Sequence, residues 1–365
     1  MRVLVLNCGS SSIKYQLIEV ESGTKIRAGI IEEVANHVAA LHGLVTDLTG
    51  ETVDAVGHRV VHGGEEFSTP VLIDVAVVEV LRSLIPLAPL HNPANIEGIN
   101  AARAVWSDVP HVAVFDTAFH RSLPAHAYRY AVPREWYTDL AVRRYGFHGT
   151  SHAYVAARAA VLLDRPLGGL DLITAHLGNG ASMAAISGGR SVDTSMGLSP
   201  LEGLVMGTRS GDLDPAILTH VAAATGRDLG DVAHDLTRRS GLVGLCGDSD
   251  MRVVTERAES GDADAALALD VFAYRIKKYL GAYLAVLGRC DAVVFTGGIG
   301  EHSPVIRAAA CAGLEGLGIE ISPGRNAGGG PIVSTNESPT HVLVIPTDEE
   351  RAIGEQTATL LSGAD

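Results

Sequence analysis

Two arginines sit among small residues, a setting that an ordinary surface arginine does not need. Arg59 lies in Gly57-His-Arg-Val-Val-His-Gly-Gly64, and Arg209 lies in Met206-Gly-Thr-Arg-Ser-Gly-Asp212. A guanidinium offers a planar fork of donors that fits a carboxylate or phosphoryl group two bonds at a time. A surface ion pair is the structural alternative for each. Taken together, two such arginines can clamp an anion. The N-terminus points the same way. The apolar run Val3 to Leu6 breaks into Asn7, Cys8, Gly9 and three serines, then resumes as Ile13, Tyr15 and Leu17, with Lys14 between them. Backbone N–H groups, hydroxyls and an amide in one tight turn can wrap a phosphate, and Asn7 can reach a phosphate-bound metal. An ordinary serine-rich hairpin has the same pattern.

Acids and histidines extend the set. Asp116 ends the apolar run His111 to Phe115, the strand-end position that faces ligands in α/β folds, although an Asp there can also simply cap the chain from Thr117 onward. Glu349, in Pro346-Thr-Asp-Glu-Glu350, is by default a helix-start carboxylate and otherwise an outer ligand for magnesium. His148-x-x-x-His152 has the spacing of a zinc pair. However, Gly149 disfavours a helix there, the HExxH glutamate is missing, and no third ligand is evident. His91, His148 and His176 lie in small-residue surroundings and suit donors around a transferring phosphoryl group, whereas His152 also suits the core.

These residues need strand ends and tight turns to hold them. Val53 to Val61 reads as a strand, Asp74 to Ile85 and Asn95 to Trp106 as helices, and His111 to Phe115 as a strand. Ser151 to Leu163 is an Ala-rich helix that Ser151 can cap. Arg165 to Leu170, with a proline and two glycines, suits a domain linker. The second half then opens as the first does. Asp171 to Leu177 is a strand, Gly178-Asn-Gly-Ala-Ser182 a polar turn, and Met183 to Ser187 a second strand. Bare glycine amides there can approach a phosphate closely. A long helix, Ala263 to Leu287, precedes the strand Ala292 to Thr296. That strand enters a Gly297–Gly300 loop, with a helix expected from Ser303-Pro304. Neither a Walker loop nor a GxGxxG fingerprint occurs. Asn326 to Pro331 reads as an exposed Gly-rich loop, His341 to Ile345 as a last strand and Glu349 to Leu361 as a last helix. Each half starting with strand, polar turn and strand suggests a duplicated α/β core around a nucleotide cleft.

Composition agrees with that outline. The 365 residues are 47% hydrophobic and 19% charged, enough for two domains with sizeable cores. The net charge of −14 argues against nucleic acid or an anionic membrane as partner, so an anionic substrate needs a local cationic cluster. The four cysteines are far apart without CxxC, which fits a reducing compartment. No stretch is long and apolar enough for a signal peptide or a membrane span, so a cytoplasmic protein is expected.

The assembled motifs resemble the acetate kinase family, within the acetate and sugar kinase, Hsp70 and actin superfamily. The matching segments are colinear over almost the whole chain: Asn7-x-Gly-Ser-Ser-Ser-x-Lys14, Gly57 to Gly64, Leu87-Ala-Pro-Leu-His-Asn-Pro93, Val114-Phe-Asp-Thr-Ala-Phe-His120, Tyr145-Gly-Phe-His-Gly-Thr-Ser-His152, His176-Leu-Gly-Asn-Gly180, Met206 to Asp212, and Phe295-Thr-Gly-Gly-Ile-Gly-Glu-His302. The resemblance implies two similar actin-like, ribonuclease H-like lobes: 1–150 with the helix 349–365 returning to it, and 151–348 as the nucleotide lobe. It implies transfer of the ATP γ-phosphoryl group to acetate, with Mg²⁺ (Mn²⁺ as substitute), ATP or ADP, acetate or acetyl phosphate, and a homodimer. It assigns Asn7 and Glu349 to the metal. Lys14, Ser10, Ser12, His176, Leu177, Gly178, Asn179 and Gly180 go to the phosphates. Asp250, Met251, Arg252, Gly298, Ile299, Gly300, Glu301 and His302 hold the adenosine. Arg59, Arg209, Asp116 and His148 become the catalytic groups, with Val61, Leu90, His91, Phe147 and Pro200 around the acyl group. Cys8 stands where the family usually has alanine, which raises the expectation of a thiol-sensitive enzyme, and His302 where it usually has asparagine. The region from Glu21 to Thr52 is shorter than usual for the family. Propionate or butyrate kinases share this site, and an actin- or Hsp70-like ATPase is the reading from another class.

Overall fold

The computed structural model, in which residues 1–9, 12–34 and 36–363 are described, folds the first apolar run as β1 (Arg2–Cys8). β1 forms a hairpin with β2 (Ile13–Glu19) over seven opposed pairs, from Arg2 opposite Glu19 to Cys8 opposite Ile13. β3 (Thr24–Ile31) continues the antiparallel ribbon, and its exposed residues mark it as the sheet edge. β4 (Ala55–Val60) and β6 (His111–Phe115) then add in parallel beyond β1, with the two-residue β5 (Val71–Leu72) on the outer edge of β6. The order is β3-β2-β1-β4-β6-β5.

The second sheet repeats the plan. β7 (Asp171–Leu177) and β8 (Ala181–Ser187) form a hairpin, again over seven pairs, and β9 (Arg190–Thr194) extends it antiparallel. β10 (Ala292–Thr296) pairs in parallel with β7, and β11 (His341–Val344) in parallel with β10. The order β9-β8-β7-β10-β11 is that of β3-β2-β1-β4-β6, strand for strand and in the same directions. Each sheet is therefore one copy of a duplicated α/β core, and in each a short polar turn joins the first two strands. All seven residues of β7 are buried, as expected for a central strand covered on both faces.

By contacts the chain divides into two compact units. One holds Met1–Arg121, Phe147–Tyr154 and Asp348–Asp365, and the other Ser122–Gly146 and Val155–Thr347. Within the first, the helix Glu349–Ser362 starts at Asp348, whose side chain accepts the amide of Arg351, and buries Ala352, Ile353, Gly354 and Thr357. The other face of that sheet is covered by the helices His37–Asp47 and Asn92–Val105.

Several expectations need correction. The helix expected from Ser151 begins at Gly149, behind a left-handed His148, so Ser151 is inside it rather than at its cap. Residues 165–170 are not a linker. They lie within the second unit, make a short 3₁₀ turn at Leu167–Gly169, and are tied down by an Arg165–Asp291 ion pair of 2.7 Å. The segment 326–331 is exposed apart from buried Asn326 and half-buried Gly330, but it is a loop only after Gly328, since Pro323–Gly328 is helical. Gly297–Gly300 is already the start of a helix, Gly297–His302, and the helix Pro304–Cys311 follows with Ser303 as its cap. No helix among the described residues is long and apolar enough to cross a membrane.

Candidate active site

The period of two along a strand decides which residues share a face. On β1, Val3 and Val5 pack with Ile353 of the helix Glu349–Ser362, whereas Leu4, Leu6 and Cys8 pack on the opposite side with Leu41, Leu44, Ala101 and Ala102. Asn7 continues the Val3–Val5 row, and Lys14 lies directly opposite it on β2. Arg59 continues the row of Ala55, and Asp116 the row of Val112 and Val114. Four chemically active side chains thus belong to one sheet face, at the strand ends. The helix covering that face begins with Glu349 and Glu350.

The polar contacts follow from this placement. Arg59 grips Asp116 with two bonds, Nε to Oδ1 at 3.0 Å and Nη2 to Oδ2 at 2.5 Å. Glu349 stands 3.8 Å from Arg59 Nε, and Lys14 Nζ is 2.5 Å from Glu350. Burial works against the Arg59 charge, but Asp116, Glu349 and Glu350 outweigh it and raise its pKa further. Asp116 is only 1% exposed, and its backbone is also fixed: its amide donates to Val60 and its carbonyl accepts from Gly149. Glu350 escaped sequence reasoning, because its partner Lys14 is at the other end of the chain. Ser10 lies outside the described residues. Ser12 is half-buried and accepts the Gly9 amide through its carbonyl, closing the turn. The thiol of Cys8 is buried and pushed up to about 12 by desolvation. It is therefore a protonated core group, and the expected thiol sensitivity finds no support at this position.

His148 adopts φ +56°, in the left-handed region that a non-glycine residue enters only when its neighbours impose it. Its carbonyl accepts the His152 amide, closing the first turn of the following helix. Phe147 is buried beside it, and its carbonyl holds the ring of His120 at 3.0 Å. His152 is fully buried with its ring against His120. Val61 and His91 are half-buried, and Leu90 is 64% exposed.

In the second unit, the turn Gly178–Gly180 joins β7 to β8, with the Gly178 amide on the Gly180 carbonyl at 3.0 Å. It borders a cavity of about 780 Å³. Gly178, Asn179, Asp250, Met251, Arg252, Gly298, Ile299 and His302 all line this cavity, so the structure brings these expected nucleotide residues together. His176, Leu177 and Gly180 lie behind the turn and Gly300 behind the helix start, outside the lining. Glu301 is engaged internally: one carboxylate oxygen accepts the amides of Gly297 at 3.0 Å and Thr347 at 3.2 Å. Asp250 caps the helix Met251–Glu259, and its bonds to Arg252 lower its pKa to about 2. Thr255, Glu256 and Glu259 also line the cavity and were missed. Helical spacing from Arg252 gives them, since positions three, four and seven residues on share its face.

Arg209 belongs to a loop tied to the Gly178–Gly180 turn, because the Gly207 amide donates to the Asn179 carbonyl at 3.1 Å. A side chain at Gly207 would collide with Asn179. The Arg209 guanidinium donates to the Pro200 carbonyl at 3.0 Å and lies 3.6 Å from Met206 Sδ. Burial, and secondarily Arg238, lower its pKa. Pro200 in turn sits on a braced loop. Arg144 donates to the carbonyls of Thr194, Ser195 and Met196 and to Glu202. Tyr130 donates to Glu202 and accepts the Leu198 amide at 3.0 Å.

Two copies of one sheet plan, each opening on a polar turn between its first two strands, define the class by fold: a duplicated, actin-like α/β core. The acetokinase family model matches residues 2–52 and 33–355, and the chain belongs to that family. It is similar to an acetate kinase of Pseudarthrobacter chlorophenolicus, 53% identical with 99% of each chain covered. It is also similar to the acetate kinase of Streptomyces coelicolor, 50% identical over 99% of this chain and 97% of that one. Among solved structures, the Porphyromonas gingivalis acetate kinase matches with a TM-score of 0.95 and 42% identity, covering 99% of both chains. A propionate kinase from Francisella tularensis matches with 0.95 and 40%, covering 98% of this chain and 99% of that one. The protein is accordingly a kinase with a carboxyl group as acceptor, working with ATP or ADP and a divalent metal ion.

Proposed function

We propose that the enzyme transfers the γ-phosphoryl group of ATP directly and in line to acetate, reversibly, giving acetyl phosphate and ADP. The observation that carries this reading is the Arg59–Asp116 pair. Acetate has a pKa of about 4 to 5, like a Glu side chain, so it is already an ionised nucleophile at neutral pH and needs no base. Asp116 has both oxygens on Arg59, which suits a carboxylate that aims a guanidinium rather than one that takes a proton. The barrier lies in bringing two anions together and in stabilising a metaphosphate-like state. Arg59, Arg209 and His148 are the groups for that task.

Mg²⁺ is the metal we assign, with Mn²⁺ able to replace it. The Asn7 amide oxygen and the Glu349 carboxylate are hard oxygen donors, and few protein ligands suit an ion that keeps waters and phosphate oxygens. When bound, the metal neutralises phosphate charge. Lys14, Ser10, Ser12 and the His176–Gly180 turn would take the phosphates, and the cavity at Asp250, Arg252, Gly298 and His302 the adenosine. On the first unit, Val61, Leu90 and Phe147 would face the acetate methyl and His91 its carboxylate end. In this reading the acyl and metal groups come mainly from 1–150 and 349–365, and the nucleotide groups mainly from 151–348. A homodimer in the cytoplasm completes it; the free cysteines fit a reducing compartment.

The similarity to a propionate kinase favours one second reading, a longer acyl acceptor. Trapping acyl phosphate with hydroxylamine, using acetate, propionate and butyrate in parallel, separates the two. We expect acetate first, propionate measurable and butyrate poor, because one methylene changes binding by only about 1–3 kcal/mol. ADP release that is independent of any carboxylate would overturn the kinase reading in favour of an ATPase.

A further inference from the structure

The β1–β4 ladder stops short of the chemistry. Its last opposed pair is Leu6 with His58. Beyond it, the chain on one side runs through Asn7 and Cys8 into the phosphate turn, and on the other through Arg59 and Val60 to Val61. These two strand ends have no direct backbone pairing with each other. Buried backbone groups there need partners from elsewhere. One side chain supplies them for both. The Asn95 amide donates from Nδ2 to the Cys8 carbonyl at 2.8 Å, and its Oδ1 accepts the Val61 amide at 3.0 Å. Asn95 is 4% exposed.

The helix Asn92–Val105 is fitted to this junction. Asn92, Asn95 and Gly98 recur every three residues and so form one stripe. Asn92 donates to the His62 carbonyl at 3.1 Å, one residue past Val61. At Gly98 any side chain would run into the Cys8 sulfur, so the helix approaches the end of β1 only because that position is glycine. An amide is the side chain that offers one donor and one acceptor in a fixed plane. Aspartate keeps the acceptor and loses the donor, and alanine loses both.

We propose that Asn95 is a positioning residue that sets the register between the phosphate turn, with Asn7, and the Arg59 end of β4. It sits one residue from Asn7 through Cys8, and two residues from Arg59 through Val61. It acts by holding the metal-side group and the phosphoryl-side group at a fixed spacing. This inference rests on the roles proposed above for Asn7 and Arg59.

The two bonds can be cut separately in the full-length enzyme. Asn95→Asp should release the Cys8 carbonyl and keep the Val61 bond. It should raise the apparent KM for free Mg²⁺ at fixed ATP by about fivefold or more, with a smaller fall in kcat. Asn95→Ala should raise the Mg²⁺ KM and lower kcat by about tenfold or more. In both, metal-free ADP should bind within about twofold of wild type by equilibrium dialysis, because its cavity is lined from the second unit. Hydrogen exchange at the Val61 amide should speed up in Asn95→Ala but not in Asn95→Asp. If folded variants lose melting temperature while Mg²⁺ KM and kcat stay at wild-type values, the inference is overturned and Asn95 is a core amide only. Should Asn95→Ala fail to fold, the Mg²⁺ KM of Asn95→Asp decides alone. A wild type that makes no acetyl phosphate would sink the proposed reaction instead, so the two failures are distinguishable.

Discussion

Arg59 and Arg209 carry the same side chain in opposite electrostatic settings. Arg59 is bound twice by Asp116, with Glu349 at 3.8 Å, and its charge is answered before any ligand arrives. Arg209 meets only neutral acceptors, the Pro200 carbonyl and the Met206 sulfur, with no carboxylate in ion-pair reach among the described residues. Their pKa values move apart accordingly, Arg59 up and Arg209 down. A half-buried guanidinium without a counter-ion is costly, and an arriving anion relieves that cost. The two arginines are therefore not equivalent. Arg59 is preset in direction by Asp116, whereas Arg209 is held by neutral acceptors and its charge is left without a carboxylate among the described residues.

The largest effect should follow from that asymmetry. Arg209→Ala should lower kcat by about 10³-fold or more, the range in which an arginine serves a phosphoryl transition state. Its melting temperature should barely change, since no carboxylate is orphaned. Arg59→Ala should cost about a hundredfold in kcat, raise acetate KM, and also lower the melting temperature, because buried Asp116 loses its two charge-assisted bonds to the guanidinium. Lysine should rescue neither, as an ammonium lacks the two-pronged contact. Steady-state kinetics with thermal unfolding checks this. A reversal, with Arg209→Ala the milder variant or the less stable one, would break the comparison.

The strand framework was readable because it rests on local signals. Short apolar runs bounded by glycine or polar turns gave β7, β10 and the 263–287 helix at their observed positions. The repeated opening of each half foretold the duplicated sheet order. Errors came where local chemistry has two outcomes. Ser322-Pro323 starts a helix that the following glycines disguise, and the left-handed His148 moves a helix start ahead of Ser151. Gly-flanked arginines were legible as unusual, but their difference was not. Asp116 reaches Arg59 across two parallel strands, and Lys14 meets Glu350 from the far end of the chain. Such pairings depend on register and on which face a residue occupies, which no short window contains. The Tyr130–Glu202 brace is hidden for the same reason.

Asp116→Asn sharpens the role of the preset arginine. The substitution keeps shape and one acceptor while removing the charge. If Asp116 aims Arg59, kcat should fall by about ten- to a hundredfold, and the pH dependence of kcat between 6 and 9 should keep its wild-type form. Loss of an acid limb in the variant would mean that Asp116 takes a proton, and Arg59 would then be its partner rather than its charge.

A smaller effect probes the other arginine through its support. Tyr130→Phe removes the acceptor of the Leu198 amide and a donor to Glu202, loosening the loop whose Pro200 carbonyl holds Arg209. A buried hydrogen bond is worth about 1 kcal/mol, so acetate KM should rise by about fivefold with nucleotide KM unchanged. Equal change in both constants would place the brace under the nucleotide cavity instead of under Arg209.

The smallest effect concerns stability and separates the two sheets rather than the two arginines. Behind Arg59, on the opposite face of β4, His58 is buried with its Nε2 2.9 Å from His111 Nδ1. Burial, then His111 and Arg103, hold the His58 pKa well below its usual 6.5, and burial also lowers His111. A folded-state pKa depressed below the unfolded one means that the neutral form is favoured by folding. This stabilisation is present above about pH 6.5 and is lost as pH falls below it, because the unfolded chain then takes up protons that the folded one refuses. Both histidines belong to the β4–β6 ladder, where Val56 pairs with His111 and His58 with Ala113. On going from pH 7.5 to 5.5, protection against hydrogen exchange, corrected for the slower intrinsic exchange at lower pH, should therefore fall in β4 and β6 before it does in β7 and β10. His58→Gln should be less stable at pH 7.5 and show a shallower loss on acidification. Simultaneous loosening of both sheets would show that the acid response is not seated in this pair, and that the strand carrying Arg59 is no more labile than the turn beside Arg209.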